Sequence, residues 1–449
     1  MTMLNRQTGN VESTVHSGRL LGLRTRAFVA LGSIAMMLAV SGGQCPDPIY
    51  TPNPNALPVY RNQTDKTNAG ASYVTSAACS ACHADIAALH NQHAHAHALK
   101  RPDGTAPSYP AAAQNAGVPN PPTGFDWLDI SYVIGGYSKG ALFLNSDGRI
   151  LTNGSAGVDV QWNNNLPANG TTAAFAPFQS ASADPLDYEF DRFRKQTTGP
   201  IRRDASNPES QDGRAGIDGT WVEMGVGCEA CHGPGSNHLP NPRRRQLFVD
   251  PNGLKSCNEC HANNFDPAAT TIGADQGFIL PNQQSTELLA SGGHAGFKCG
   301  ICHDPHVSLT VDPAKAIRNH CTACHTDMNM ALHAGRVFTR GDYVEPLTCV
   351  SCHMPFATRA YSAATASVVG NAARMGDTRT HIFRIAKNKN DFAAFFTADG
   401  SAVELDNQGR AAVTVDFVCL RCHNGNGAFP LSVQSAGDIT PNIHLNFGN

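Results

Sequence analysis

Charged side chains are scarce in this sequence. Asp, Glu, Lys and Arg together make up 15% of its 449 residues, and the formal net charge at pH 7 is −3. A chain with no excess of positive charge lacks the electrostatic footprint of a nucleic-acid-binding protein. We therefore expect no nucleic-acid partner.

Long apolar runs are scarce as well. The run at residues 27–40 covers about 14 positions, whereas a membrane-spanning helix needs about 20. Arg19, Arg24 and Arg26 precede this run and small residues follow it, which is the pattern of a secretory signal peptide over residues 1–43. Arg24-Thr25-Arg26 is not a twin-arginine pair, so the general secretory route is expected. The mature protein is then expected in the periplasm, on the outer-membrane surface or outside the cell.

Aromatic residues are few, at 7%, while the chain has 42 glycines and 28 prolines. This composition is typical of a loop-rich chain and excludes a long-helix bundle or an ordinary β-sandwich. Much of the buried apolar surface must therefore come from something other than side-chain packing.

Cysteine, by contrast, is abundant, and fourteen of the 15 cysteines lie in complete C-x-x-C-H motifs. Two thiols three positions apart on a helical turn can bond the two vinyl groups of one porphyrin, and the next histidine can bind its iron. Zinc sites need a second ligand pair, and disulfides need no histidine. The sequence therefore predicts seven covalently bound haem c groups. The motifs, numbered 1 to 7 in chain order, are Cys79-Cys82-His83, Cys228-Cys231-His232, Cys257-Cys260-His261, Cys299-Cys302-His303, Cys321-Cys324-His325, Cys349-Cys352-His353 and Cys419-Cys422-His423.

Eleven further histidines lie outside the motifs and the predicted signal, enough to close the second axial position of every iron. An iron with two histidine ligands has no vacancy for a substrate and is suited to electron transfer. In the run HNQHAHAH, an α-helix would place His90, His93 and His97 on one face, so we expect His93 or His97 to be a ligand. A surplus histidine there could bind a transition metal weakly. The predicted distal iron ligands are His93, His97, His238, His294, His306, His320, His333, His381 and His444.

His444 is the most open of these candidates, because it could bind an iron of its own chain, an iron of a neighbouring subunit, or neither. Cys45, the one cysteine outside the motifs, is also open. Its lipidation would tether the chain to a membrane, but Gly42-Gly43-Gln44 is a poor lipidation signal. Otherwise Cys45 is removed with the signal or stays a free thiol.

The organisation predicted along the chain is a set of short, irregular α-helices packed around a chain of haems, with small β-hairpin insertions. Alternation of apolar and polar residues predicts a small hairpin or meander at residues 127–152 and a second strand pair at 378–417. We expect five haems in a compact cluster, and the first and last haems set apart as the places where electrons enter and leave. The predicted segments are a signal peptide (1–43), a Pro/Asn-rich arm (44–70), the first haem with a β insertion (71–227), a five-haem core (228–360), and a second β insertion with the seventh haem and tail (361–449).

Several segments resemble a known family. GVGCEACHGPGSNH at residues 225–238, FKCGICHDPH, HCTACH and LTCVSCHMPFA are similar to periplasmic and extracellular multihaem cytochromes. That family is related to pentahaem nitrite reductase and octahaem hydroxylamine oxidoreductase, and includes extracellular electron-transfer cytochromes of metal-reducing bacteria. The resemblance covers most of residues 129–423. It implies that His238 and His306 are distal ligands to other haems.

The chain departs from the enzymes of that family. It has no C-x-x-C-K motif of the kind that leaves a catalytic iron open in the nitrite reductases, and no tyrosine can be matched to the haem cross-link of hydroxylamine oxidation. We therefore expect an electron carrier rather than an enzyme. Its partners would be other cytochromes or redox proteins, or an extracellular metal oxide.

Two other interpretations stay open. The chain could polymerise into a cytochrome filament, in which a histidine near one end binds a haem of the next subunit. It could instead be a reductase of a small oxyanion, such as nitrite, hydroxylamine or tetrathionate, with one open haem.

Overall fold

Every helix that the computed structural model describes is short, with eight residues at most. The described residues are 62–242, 247–250, 254–328, 330, 333–362, 373–425 and 429–444. The predicted signal peptide and Cys45 lie outside them. In this part of the chain no helix has the length and apolar character needed to cross a bilayer.

Twelve α-helices and thirteen strands lie within the described residues. The helices are α1 (Thr75–Ser80), α2 (Ala84–His90), α3 (Asn153–Ala156), α4 (Phe190–Phe193), α5 (Cys228–His232), α6 (Leu254–His261), α7 (Gln284–Leu289), α8 (Cys299–Cys302), α9 (Pro313–Ala316), α10 (Cys349–His353), α11 (Val415–Val418) and α12 (Val433–Ile439). The strands are β1 (Leu99–Lys100), β2 (Tyr132–Gly135), β3 (Gly140–Leu144), β4 (Gln161–Asn163), β5 (Ala174–Ala176), β6 (Thr197–Thr198), β7 (Ile201–Arg202), β8 (Gly219–Thr220), β9 (Glu223–Met224), β10 (Ala274–Asp275), β11 (Phe278–Ile279), β12 (Val337–Arg340) and β13 (Tyr343–Pro346).

The largest sheet fills the cysteine-free stretch after motif 1. Strands β1 to β5 form an antiparallel sheet in sequence order, and its centre is the pair β2–β3 with Tyr132 opposite Leu144. Gly135 and Gly136 have φ of +80° and +83°, a backbone conformation that glycine adopts without strain, and they lead into the turn. The hairpin predicted at residues 127–152 is therefore present.

Both faces of this hairpin are buried. Tyr132, Ile134 and Leu142 belong to one hydrophobic cluster, and Val133 and Phe143 belong to another. Successive side chains of a strand point to opposite faces, so the two clusters lie on opposite sides of the sheet. This explains why β3 reads as an unbroken apolar run.

The second predicted strand pair, at residues 378–417, is not a continuous ladder. The described residues of this segment form isolated bridges, Ile385 with Val413 and Phe396 with Val403. Phe395, Phe396 and Val413 are buried in a hydrophobic cluster of their own. The apolar residues here fold into a loop-built core instead of a sheet.

The end of the predicted arm also differs from expectation. Asn68 is 2% exposed, and its amide donates to the carbonyls of His232 and Pro234 at 2.9 and 2.8 Å. Asn62 pairs with Phe248 in a β-bridge. Residues 62–70 are therefore a turn fixed against motif 2, because their asparagine side chains satisfy backbone groups there.

Asp377 holds a buried loop against the large sheet. Its carboxylate accepts from the backbone amides of Ala360, Tyr361 and Ser362 at 2.9, 2.7 and 3.0 Å, and Asp377 is 3% exposed. The Tyr361 ring packs on the sheet's hydrophobic cluster.

Replacing this carboxylate tests the contribution of the loop. Asp377→Ala leaves three amides without their acceptor and should lower the free energy of unfolding of the haem-loaded protein by about 3 kcal/mol in urea titrations. The matched control is Asp204→Ala, because Asp204 accepts from Ser206 and Asn207 in an exposed loop where water can replace it. The control should cost about 0.5 kcal/mol or less. An equal decrease in the free energy of unfolding of the two variants would contradict the stabilising role of Asp377.

Candidate haem-binding sites

The seven motifs share one backbone conformation. In motif 1 the His83 amide donates to the Cys79 carbonyl at 2.9 Å, and the same bond at 2.9 Å closes motifs 4, 5 and 7. Motifs 2, 3 and 6 lie in the helices α5, α6 and α10. This single turn brings the two cysteines and the histidine of each motif together, as thioether attachment of one porphyrin requires.

Thirteen of the fourteen motif cysteines are free thiols. Thioether attachment requires a free thiol, so these cysteines are in the form that the predicted attachment needs.

Each motif histidine faces a second histidine from elsewhere in the chain. The ring centroids of these pairs are 5.8 to 6.4 Å apart. The pairs, in motif order, are His83 with His238, His232 with His306, His261 with His95, His303 with His381, His325 with His294, His353 with His444, and His423 with His333.

This separation fits an iron between the two rings. A metal–imidazole bond is about 2 Å long, so two imidazoles on opposite sides of one iron have centroids about 6 Å apart. Rings in direct stacking contact lie closer, as His93 and His95 do at 4.4 Å. The residues of all seven sites therefore fit a haem with two histidine ligands.

Hydrogen bonds orient several of the motif histidines. The Nδ1 atoms of His232, His353 and His423 donate to the backbone carbonyls of Phe248, Phe383 and Phe429 at 2.8 to 2.9 Å. A proton on Nδ1 leaves the lone pair of Nε2 free to bind a metal, and such partners are typical of metal-binding histidines.

Other ring nitrogens of the sites are oriented by side chains. His261 Nδ1 lies 2.8 Å from the Gln284 amide oxygen. His306 Nδ1 lies 3.2 Å from an Asp304 carboxylate oxygen. Outer partners of this kind keep a ring in place while its other nitrogen binds a metal.

Burial keeps the deepest of these imidazoles neutral. Desolvation lowers the pKa of His381 to about 3, and it lowers the pKa of His261 and, more strongly, of His95. Neighbouring histidines lower the pKa of His381 and His95 further. A neutral imidazole offers the lone pair that an iron ligand needs.

The structure corrects the prediction for the histidine-rich run. His95 faces His261, whereas the predicted His93 and His97 face no motif histidine among the ring pairs of the described residues. His97 Nε2 instead donates to the Asn91 carbonyl at 2.7 Å, and its ring stacks on Tyr137. No cluster of three metal-binding side chains occurs within the described residues, so the weak metal site considered for this run finds no support there.

His320 is the other departure from the predicted ligands. It is exposed, it precedes the 3-10 turn of motif 5, and within the described residues its ring faces no motif histidine. The remaining predicted ligands, including His444, each face a motif histidine. His95 is the residue that sequence reasoning missed.

Neighbouring motifs meet through their cysteines, in an alternating pattern. First cysteines lie close to each other between motifs 1 and 2, 3 and 4, and 5 and 6. Second cysteines lie close to each other between motifs 2 and 3, 4 and 5, and 6 and 7. The pairs are Cys79–Cys228, Cys231–Cys260, Cys257–Cys299, Cys302–Cys324, Cys321–Cys349 and Cys352–Cys422.

The attachment sites therefore form one row in sequence order. Motif 1 lies against motif 2, and motif 7 lies against motif 6, although long cysteine-free stretches separate them in the chain. The expectation that these two motifs are set apart is wrong, because the intervening residues form loops and sheets outside the row.

Two carboxylates fix motif 1 against motif 2. Glu229, inside motif 2 and 2% exposed, accepts from the amides of Val74, Thr75 and Gly235 at 2.7 to 2.9 Å. Glu223 accepts from the Ser76 amide and hydroxyl at 3.0 and 2.9 Å. The carboxylates thereby satisfy amides at the start of α1.

The axial pairs can be tested at the histidine-rich run. His95→Ala should leave one iron with a single histidine ligand, so that a high-spin signal from one haem appears in the optical and electron paramagnetic resonance spectra. His93→Ala and His97→Ala are the matched controls, and their spectra should keep the parent low-spin form. A high-spin signal in His97→Ala but not in His95→Ala would contradict the pair.

The ring planes give a second spectroscopic test. The planes of His423 and His333 cross at 86°, whereas those of His232 and His306 lie within 6° of parallel. Crossed ligand planes give a ferric haem a low-spin spectrum with one large g value, and parallel planes give a rhombic one. We expect a large-g component that is lost in His333→Ala and kept in His306→Ala. Loss of that component in both variants or in neither would contradict the geometry.

Comparison with known proteins places these sites in context. No family model matches the chain. It is 25% identical over 239 residues to the dissimilatory sulfite reductase MccA of Wolinella succinogenes, an alignment that covers 44% of this chain and 33% of the relative. The chain thus spans about a third of the length of this curated relative.

Three solved structures are similar at 15 to 17% sequence identity. The outer cell wall cytochrome OcwA has a TM-score of 0.44, with 82% of this chain and 86% of that chain covered. The octahaem sulfite reductase MccA of Wolinella succinogenes has a TM-score of 0.46, with 80% and 67% covered. The undecahaem cytochrome from the S-layer of Carboxydothermus ferrireducens has a TM-score of 0.38, with 73% and 53% covered.

Proposed function

We propose that this chain, a member of the multihaem c-type cytochromes, is a seven-haem electron carrier in periplasmic or extracellular respiration. The observation that carries the proposal is the facing of every motif histidine by a second histidine at 5.8 to 6.4 Å. Two histidine ligands on each iron leave no axial position for a substrate.

Different residues of each site have different binding roles. The cysteines hold the porphyrin by thioethers, and the paired imidazoles hold the iron from both sides. Bound haem c supplies a reversible one-electron couple between Fe(III) and Fe(II). Surrounding residues such as Gln284 and Asp304 orient the rings.

The row of motifs supports conduction along the whole chain. The first cysteine of each inner motif lies close to one neighbouring motif, and its second cysteine lies close to the other. Attachment sites held side by side in this way suit successive one-electron transfers. The partners we propose are redox proteins, such as other cytochromes, and an extracellular metal oxide as terminal acceptor.

The filament interpretation has less support. It requires a histidine of one subunit to bind an iron of the next, and His444 near the C-terminal end was a candidate. Here His444 faces His353 of its own chain at 5.8 Å, with the planes 11° apart. We therefore propose a carrier whose axial ligands all come from the same chain.

The alternative is a reductase of a small oxyanion, and the similarity to a dissimilatory sulfite reductase favours it. This activity needs one iron with an open position. Motif 1 offers no such opening within the described residues, because His83 faces His238 as the other motif histidines face theirs.

Haem stoichiometry and spin state together test the proposal. Mass spectrometry of the mature protein, produced with the haem-attachment machinery, should give a mass increase of seven haems. The ferric spectrum should be low-spin throughout, and cyanide or sulfite should not change it. A high-spin component that sulfite shifts would favour the reductase instead.

A further inference from the structure

The two ends of the motif row differ in charge. At the junction of motifs 1 and 2, Glu229 lies between Cys228 and Cys231, and Glu223 accepts from Ser76, whose hydroxyl accepts from the Cys228 amide. Their hydrogen-bond partners are backbone amides and a hydroxyl rather than cationic side chains. Within the described residues these two carboxylates therefore have no cationic side-chain partner at this end of the row.

The junction of motifs 6 and 7 has the opposite character. Arg421, which lies between the two cysteines of motif 7, is 0% exposed, and its Nη2 donates to both oxygens of Glu345 at 2.9 Å. Arg379 donates to the same carboxylate at 2.8 Å, and Arg340 Nη2 donates to the Arg421 carbonyl at 3.1 Å. Two guanidinium groups therefore share one carboxylate, and the third, of Arg340, contacts a backbone carbonyl of the same cluster.

These cations lie against the attachment cysteines. Arg421 lies between Cys419 and Cys422 in motif 7. Arg379 Nη1 donates to the carbonyls of Val350 and Met354, inside and directly after motif 6, at 3.0 and 2.9 Å. The net positive charge of the cluster therefore acts where motifs 6 and 7 meet.

Part of the Arg421 guanidinium has no hydrogen-bond partner. Its Nε and Nη1 atoms are buried and unpaired within the described residues, and its plane lies over the rings of Phe338 and Phe356. A buried charge with incomplete pairing reduces stability, so this arrangement is expected at a place where the charge has a function.

Ion pairs occur in the middle of the row. Lys66 pairs with Glu259 beside motifs 2 and 3. Arg318 pairs with Asp304 at 3.1 Å where motifs 4 and 5 meet. The charges described at the two ends of the row therefore differ in sign.

Reduction of a ferric site adds one negative charge to it. A nearby buried cation stabilises the reduced form, and a nearby carboxylate stabilises the oxidised form, since the interaction is weakly screened inside a protein. We propose that Arg421 and Arg379 raise the reduction potential at motifs 6 and 7, while Glu229 and Glu223 lower it at motifs 1 and 2.

This gradient gives conduction a direction, and it rests on the proposed electron-carrier function. A reduced one-electron donor, such as a ferrous cytochrome, is oxidised at the motif 1 end. An oxidised acceptor, such as a ferric cytochrome or an iron(III) oxide, gains the same electron at the motif 7 end. No bond is made or broken and no proton is transferred.

The test uses the large-g signal of the crossed pair His423 and His333 as a probe of motif 7. In a redox titration of the haem-loaded protein followed by electron paramagnetic resonance, this signal should be among the first lost on reduction. Arg421→Gln should lower its midpoint so that the ferrous-to-ferric ratio at fixed potential falls about tenfold, or ~59 mV for one electron.

Variants that remove charges of opposite sign distinguish a change in reduction potential from a general disturbance of the structure. Glu345→Gln removes the carboxylate of the same cluster and should raise the midpoint of the motif 7 signal, whereas a general loosening would move both variants in one direction. Glu229→Gln should raise the midpoints of the first sites and leave the motif 7 signal in place. Arg421→Lys should restore most of the potential, and Arg202→Gln, an exposed cation, is the charge control.

The outcomes are distinct. A motif 7 signal that stays at its midpoint in Arg421→Gln, or that moves the same way in Glu345→Gln, would overturn the gradient while the spectrum remains low-spin throughout. A high-spin, sulfite-sensitive component would instead overturn the electron-carrier function.

Discussion

The facing of two imidazole rings across a gap of about 6 Å is the constraint on which the rest of this molecule depends. Each ring pair consists of a motif histidine and a histidine that is distant in the chain, such as His83 with His238 and His261 with His95. With an iron in the gap, each pair is a cross-link between two segments. A chain with short helices and several small sheets can then hold a defined shape without a large side-chain core, because its interior is built around the bound groups.

The cysteine contacts add a second constraint, which turns separate sites into a row. The side chains of two cysteines three residues apart on one turn point in different directions. Each cysteine of an inner motif therefore lies beside a different neighbouring motif. The observed alternation, with Cys79 against Cys228 and Cys231 against Cys260, follows from this arrangement. Motifs connected in this way form a line, and the line follows the order of the sequence.

Some of this arrangement could be predicted from the sequence and some could not. The motif spacing is local chemistry, so the attachment residues follow from it directly. The histidine-rich run was misjudged because an α-helix was assumed throughout. Helix α2 ends at His90, His93 has an extended backbone with φ of −88° and ψ of 146°, and residues 94–97 form a 3-10 helix. The α-helical periodicity of 3.6 residues therefore does not apply, and His95 reaches the ring of His261.

Spatial order was also beyond the sequence, since it depends on long-range contacts. The amides at the start of α1 donate to Glu229, which is more than 150 residues away in the sequence, and no local sequence pattern predicts that contact. The same long-range packing places Arg421 and Arg379 around Glu345. Both features lie where neighbouring motifs meet, so the residues that hold the row together also set its charge. A carboxylate at one end and guanidinium groups at the other satisfy the packing needs of their junctions, and they do so with opposite effects on a reducible centre. The direction of electron flow that we propose is therefore tied to the same contacts that determine the order of the sites.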